Sequence, residues 1–169
     1  MSTRARLAVA CAIAVLSAAG IAILAVHWLS RDSRASTPLG LHESPAAAPF
    51  AGSREVSLSV GTHCVRVVVA DTEAARERGL RGAVGLGPYG GMLFVQPGDT
   101  DTAFTMAGVT TPLVVTWYTA GGSRIGVARM APCPRDAEHC PVYRSRGRYR
   151  LALETPPGAA APAHLLPCS

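Results

Sequence analysis

Hydrophobic and polar positions alternate strictly over Glu55–Val60, as they do in a strand with one buried face. Cys64–Ala70 follows as a run dense in valine, and the intervening Gly61-Thr62 permits a turn, so the two segments predict a hairpin. Gly91–Val95 is a short apolar run stopped by Pro97-Gly98, and Thr111–Tyr118 is β-branched and aromatic. These two read as buried central strands joined by a polar bend. Within the bend Phe104 and Met106 sit two apart and face one side if it is extended. Gly121-Gly122 marks a turn before a further strand, Arg124–Met130. Arg148–Glu154 alternates again, with Tyr149, Leu151 and Leu153 on one face and Arg148 and Arg150 on the other. Helical character is confined to Asp71–Leu80, with Asp71 as the cap, Glu73 in the first turn and Gly79 at the end. The pattern predicts a small, mainly β domain over residues 55–169, minor in α. It would be curled or barrel-like, with about six or seven strands and one short helix.

Upstream, Leu7–Leu29 is interrupted by nothing more polar than Ser17 and His27. As a helix these residues would reach about 34 Å at 1.5 Å per residue, enough for a hydrocarbon core of roughly 30 Å. Residues 1–30 therefore read as an uncleaved signal anchor. The alternative is a cleaved signal peptide ending near Ser17-Ala18-Ala19, but the apolar run continues for ten residues past Ala19, beyond the length of a signal-peptide core. Residues 31–54, with Pro38, Pro45 and Pro49, read as a Pro/Ala-rich linker without an apolar period. All sixteen basic side chains are arginine, but from Ala35 onward twelve arginines face ten acids. That balance gives no electrostatic footprint for nucleic acid.

Positive-inside counting around the apolar run is nearly tied, so orientation rests on the cysteines. Cys64, Cys133, Cys140 and Cys168 form an even set beyond the membrane, which fits an oxidising compartment and a domain outside the cytoplasm. Four cysteines permit three connectivities. Cys133 and Cys140 close a proline-flanked loop, and a bridge there contributes roughly 2.5 kcal/mol on chain-entropy grounds. Cys64 would then pair with Cys168. A redox pair at Cys133 and Cys140 is disfavoured by six intervening residues where dithiol oxidoreductases have two. His63-Cys64, His139-Cys140 and His164 with Cys168 place imidazole near thiol three times, yet the spacings match no standard zinc motif, so no metal is assigned. Asp99 and Asp101 read as a solvated turn. Arg144, Arg146, Arg148 and Arg150 alternate and could line one strand face against an anionic envelope polymer or lipid head groups, with a solvated edge as the plainer reading.

Arg78-Gly79-Leu80, Gly91–Val95, Phe104 with Met106, Pro112-Leu113, Cys140-Pro141-Val142-Tyr143 and Tyr149–Leu153, in that order, resemble the DUF192 family. The resemblance covers roughly Val65 to Gly158 and implies a compact, mostly β fold with no agreed activity. The family usually reads Phe-Trp-Met-Lys-Asn-Thr where this chain has Phe104-Thr-Met-Ala-Gly-Val109, and Val114 stands where an acid usually follows Pro-Leu. Its polar side chains at the bend are thus largely missing here, and no family chemistry is carried over. No nucleophile elbow, phosphate loop, metalloprotease helix or dinucleotide fingerprint occurs, so no catalytic residue or cofactor is assigned. The expectation is a membrane-tethered extracytoplasmic module binding a small ligand or envelope component. Its pocket would lie beside Phe104, Met106 and Trp117, and the rival is an envelope enzyme with its site at the same bend.

Overall fold

The computed structural model describes residues 34–168, apart from 36, 61, 62, 135, 136, 160 and 161. The apolar run at Leu7–Leu29 lies outside the described residues. Among those described, no helix is long and apolar enough to cross a membrane.

Six strands of six or more residues make one sheet, edged by short pieces. β1 (Ser44–Pro45) pairs β2 (Arg54–Val60), which forms the expected hairpin with β3 (His63–Ala70). After β3 the chain runs through helix α1 (Glu73–Arg78) and a loop into β4 (Gly91–Thr100), which lies parallel to β3. A parallel neighbour requires such a crossover, and α1 supplies it. Next come β5 (Phe104–Thr105), β6 (Leu113–Tyr118), β7 (Arg124–Met130), β8 (Val142–Tyr143), β9 (Tyr149–Thr155) and β10 (Leu166–Pro167). The sheet order is β1-β2-β3-β4-β9-β6-β7, with β10 also on β2, while β5 and β8 pair separately. The sheet is open, which corrects the barrel-like expectation: β7 and β2 are not hydrogen-bonded to each other as strands.

Alternation places side chains of the central strands on two faces, and both are covered. One face carries Val68, Met92, Phe94, Val115, Trp117 and Ala152 beneath α1, the bend and the Cys133–Cys140 loop. The other carries Val56, Leu58, Val67, Leu93, Leu151 and Leu153, with Leu41 and Leu165 packed on them. Three local readings change. Pro97-Gly98 does not end β4: the register against β9 shifts between Val95 and Thr100, so the missing proline donor is accommodated in a bulge. That shift sends Tyr149 to the opposite core from Leu151 and Leu153. The helix is capped by Thr72, whose hydroxyl accepts from the Ala75 amide (3.2 Å), while Asp71 pairs with Arg54.

Residues 34–53 belong to the domain rather than forming a free tether. Ala35 and Leu41 are buried, and the Ala35 amide donates to the Asp71 carbonyl (2.9 Å). Phe50 meets Tyr89 edge-on, and the Tyr89 hydroxyl accepts from the Ala47 amide and donates to Glu55 (both 2.6 Å). Individual apolar residues, not a period, carry this packing, which is why the pattern did not reveal it.

Gly91 begins β4 where the backbone of β9 comes closest. A β-carbon there would lie 2.3 Å from the Glu154 carbonyl oxygen. Gly91→Ala must therefore push two central strands apart. It should cost about 3 kcal/mol, read as a lower urea midpoint at unchanged slope.

Candidate functional site

The bend between β4 and β6 folds back over the first face of the sheet beside α1 and leaves a cavity of about 540 Å³. Helix α1 is short and buries no residue fully, so tertiary bonds hold it. Arg76 Nη1 donates to the carbonyls of Asp71 (2.8 Å) and Val95 (3.0 Å), which pins the helix across the end of the β3–β4 pair. Gly79 closes the helix at φ 50°, and its Cα faces the Phe94 ring closely enough that a β-carbon would already touch it at 3.4 Å. The chain can then turn towards Leu80, which is buried below the cavity.

Aromatic rings form one side of the site. Phe104 stands edge-on to Phe94 at 5.1 Å between centroids and contacts Trp117 and Tyr149, each at 6.2 Å. Phe94, Phe104 and Tyr149 border the cavity, but only Phe104 is half-buried; Phe94 is 3 % exposed and Tyr149 is fully buried. Trp117 and Met106 do not border it: they are buried in the core beneath it, and Trp117 holds Tyr149 at 6.4 Å. The Tyr149 hydroxyl donates to the Thr102 carbonyl (2.7 Å), which fixes the ring to the bend. Burial pushes that phenol up to about 12.

The unexpected member is Glu154. It lies on β9, an interior strand between β4 and β6, directly opposite Met92 of β4 and Val115 of β6. Neighbours in register stand about 4.5–5.5 Å apart at Cβ, so the carboxyl rises from an apolar floor. The residue is 5 % exposed and borders the cavity. It has neither a hydrogen bond nor an ion pair among the described residues. Desolvation alone pushes its carboxyl up to about 8. Thr105, on the same wall, has its Oγ1 buried without a partner. Five charged side chains, Glu73, Arg76, Glu77, Arg78 and Arg81, surround the opening.

The sequence reading put Arg148 and Arg150 on one face of this strand and made no assignment for Glu154, which shares their parity. The parity is right, since Ala152 and Glu154 share a face. That face is simply covered by the bend. An acid ending an alternating run in an interior strand is the one signal that could have found it, and it needs the strand order first.

The arginine series does not make one strand face. Arg144, Arg146 and Arg148 are exposed in the loop before β9, where the Gly147 amide donates to Ser145 Oγ (3.4 Å) in a turn, and only Arg150 is in the strand. Arg148 is tied to the Asp99 carbonyl. The cysteines are paired Cys64–Cys168 and Cys133–Cys140, with Cα separations of 5.7 and 5.9 Å. No group of three or more His, Cys, Asp or Glu side chains converges as a metal cage among the described residues.

The DUF192 sequence profile, described as uncharacterized ACR, matches residues 56–167. The chain belongs to the DUF192 family. No curated protein matches it significantly. Two solved structures share the fold of this DUF192 domain. One is a protein of unknown function from Novosphingobium aromaticivorans, 23 % identical, with a TM-score of 0.58 over 73 % of this chain and 86 % of that one. The other, from Sinorhizobium meliloti and provisionally named a transcription regulator, is 21 % identical, with a TM-score of 0.56 over 73 % of this chain and 96 % of its own. At these identities the likeness speaks for the DUF192 fold and for nothing chemical. The site has to be read from its own residues.

Proposed function

We propose that this chain is a membrane-tethered, extracytoplasmic binding module whose ligand occupies the cavity above Glu154. The observation that carries the reading is the Glu154 carboxyl, without a hydrogen bond or ion pair, on the wall of a cavity that Phe104 also borders. Buried polar groups are normally satisfied, and Thr105 Oγ1, buried on the same wall with no partner, favours a missing one. Binding is preferred to catalysis because Glu154 lacks a second proton-handling group. Tyr149 shares the wall, but its proton is committed to the Thr102 carbonyl. The tether rests on the apolar run Leu7–Leu29, and the compartment on two disulfides in a chain with paired cysteines.

A fragment screen on the full-length chain in maltoside detergent, followed by ligand-observed NMR, tests the site. Hits should weaken about tenfold or more on Phe104→Ala, since truncation removes the largest apolar contact at the mouth. Hits that ignore this change and respond to Arg146→Ala would move the site to the arginine loop. Protease added to intact cells should digest the domain while the remainder stays with the membrane fraction, and a protected domain would overturn the proposed location.

A further inference from the structure

We infer that a hollow beside the main cavity is a second site, which holds the phosphate of an anionic phospholipid between Arg78 and Arg81 and lays the lipid's apolar part on Phe50 and Val84. The inference goes beyond the reading of the main cavity and takes from it only the membrane tether. The hollow, of about 410 Å³, lies between the turn that follows β1 and the loop that follows α1. Arg78 and Arg81 are the only charged side chains that line it, whereas Glu73, Glu77 and Glu154 border the main cavity alone. Both arginines are exposed, and neither guanidinium has an ion pair or hydrogen bond among the described residues. Those of Arg54, Arg66, Arg76 and Arg148 all do. The backbone that carries the free pair is nonetheless fixed: the Arg81 amide donates to the Arg78 carbonyl (3.1 Å) and the Gly82 amide to the Gly108 carbonyl (3.2 Å). Gly108, at φ 70°, presents no side chain, and the Arg81 stem lies where a β-carbon there would touch it at 3.7 Å. Two planar guanidiniums on a held turn, with no carboxylate to claim them, suit phosphate oxygens. The remaining wall is mostly apolar, with Phe50 half-buried and Val84 wholly exposed. A free phosphate would use the arginines and leave that valine in water, whereas a phospholipid occupies both. Chain length supplies the source. Ser53 of the hollow precedes Arg54, which pairs with Asp71, whose carbonyl holds the Ala35 amide, so the hollow is near the point where the chain enters the fold. On the tethered reading, the chain from Leu29 to Ala35 reaches at most about 21 Å, which keeps the domain at the head-group layer.

Native mass spectrometry of the full-length chain, released from maltoside micelles doped with phosphatidylglycerol or phosphatidylcholine, tests the site. The wild type should retain phosphatidylglycerol in preference, and Arg78→Gln combined with Arg81→Gln should lower that affinity at least about tenfold. Arg144→Gln combined with Arg146→Gln removes the same charge from the other exposed arginine loop and should leave the preference intact. Val84→Ser should weaken phosphatidylglycerol about fivefold and leave glycerol phosphate, the soluble competitor, unaffected. Equal losses in the two arginine pairs, or no preference for phosphatidylglycerol in the wild type, would overturn the site. Glycerol phosphate binding as tightly as the lipid would overturn the lipid assignment and leave an anion site. Micelles impose no compartment, so these results stand apart from the protease experiment, and the inference and the tethered reading can fail separately.

Discussion

Glu154→Gln should leave the domain's stability nearly unchanged at about pH 4.5 and raise it by several kcal/mol near pH 9. In the unfolded chain the carboxyl loses its proton near the ordinary 4.5, whereas in the fold burial holds the proton until about 8. Between those values the folded state binds more protons than the unfolded one, so stability falls as pH rises, by about 1.4 kcal/mol per pH unit. Below the window both states are protonated and no penalty exists. Above it the full penalty, roughly 4–5 kcal/mol, is present. Glutamine has the shape of the protonated acid and cannot ionise, so the variant escapes the slope. Urea unfolding at three pH values checks this, and equal slopes for the two proteins would show that Glu154 is solvated or partnered in solution. Glu55 acts oppositely and elsewhere on the scale. Arg66 first, then Tyr89, hold it down to about 2, so its contribution is present above 4.5 and lost as pH falls towards 2. The wild type should therefore be most stable in mildly acidic solution.

How much of this could be read from the amino-acid sequence depended on how local each signal was. The β2–β3 hairpin was legible because alternation, valine density and a glycine turn coincide within sixteen residues, and β7 matched its predicted limits. Phe104 was legible as a cavity residue, while Met106 and Trp117 were not separable from it: an apolar residue looks alike whether it lines a pocket or lies beneath one. The parallel β3–β4 pairing was invisible, since it depends on where α1 returns the chain. Residues 34–53 were misread because isolated Leu41, Phe50 and Ala35 contacts leave no period. Glu154 failed for a related reason: whether a polar face meets water is decided by a bend some fifty residues earlier in the chain.

The same geometry separates what braces the fold from what shapes the site. Cys133 and Cys140 pack on the cavity face, where the Gly108 amide donates to the Cys133 carbonyl (2.9 Å) and the Cys133 amide to Val109 (3.0 Å). Val109 in turn lines the cavity. Cys64–Cys168 instead fastens residues 162–168 on the opposite face. That segment bonds the β6–β7 turn through Leu165 N to Gly122 O (2.8 Å) and Arg124 N to Ala163 O (2.9 Å), then pairs with β2 through β10. It thereby links the two sides of an open sheet, with Leu165 buried beneath it.

The two bridges should therefore fail differently. The Cys64–Cys168 crosslink spans 104 residues, so removing it by double alanine substitution should lower stability by about 4–5 kcal/mol, against roughly 2.5 kcal/mol for the seven-residue Cys133–Cys140 span. Ligand affinity should follow the reverse order. Loss of the shorter bridge frees the bend that carries Phe104 and Thr105, while loss of the longer one, at temperatures where the domain remains folded, leaves the cavity face untouched. Paired urea titrations and binding measurements on the two double variants test both halves. If the Cys64–Cys168 variant proves the more stable of the two, packing and hydrogen bonds hold the C-terminal segment without the crosslink. If it is the one that loses affinity, the two faces of the sheet are coupled, and the cavity depends on the closure of the far side.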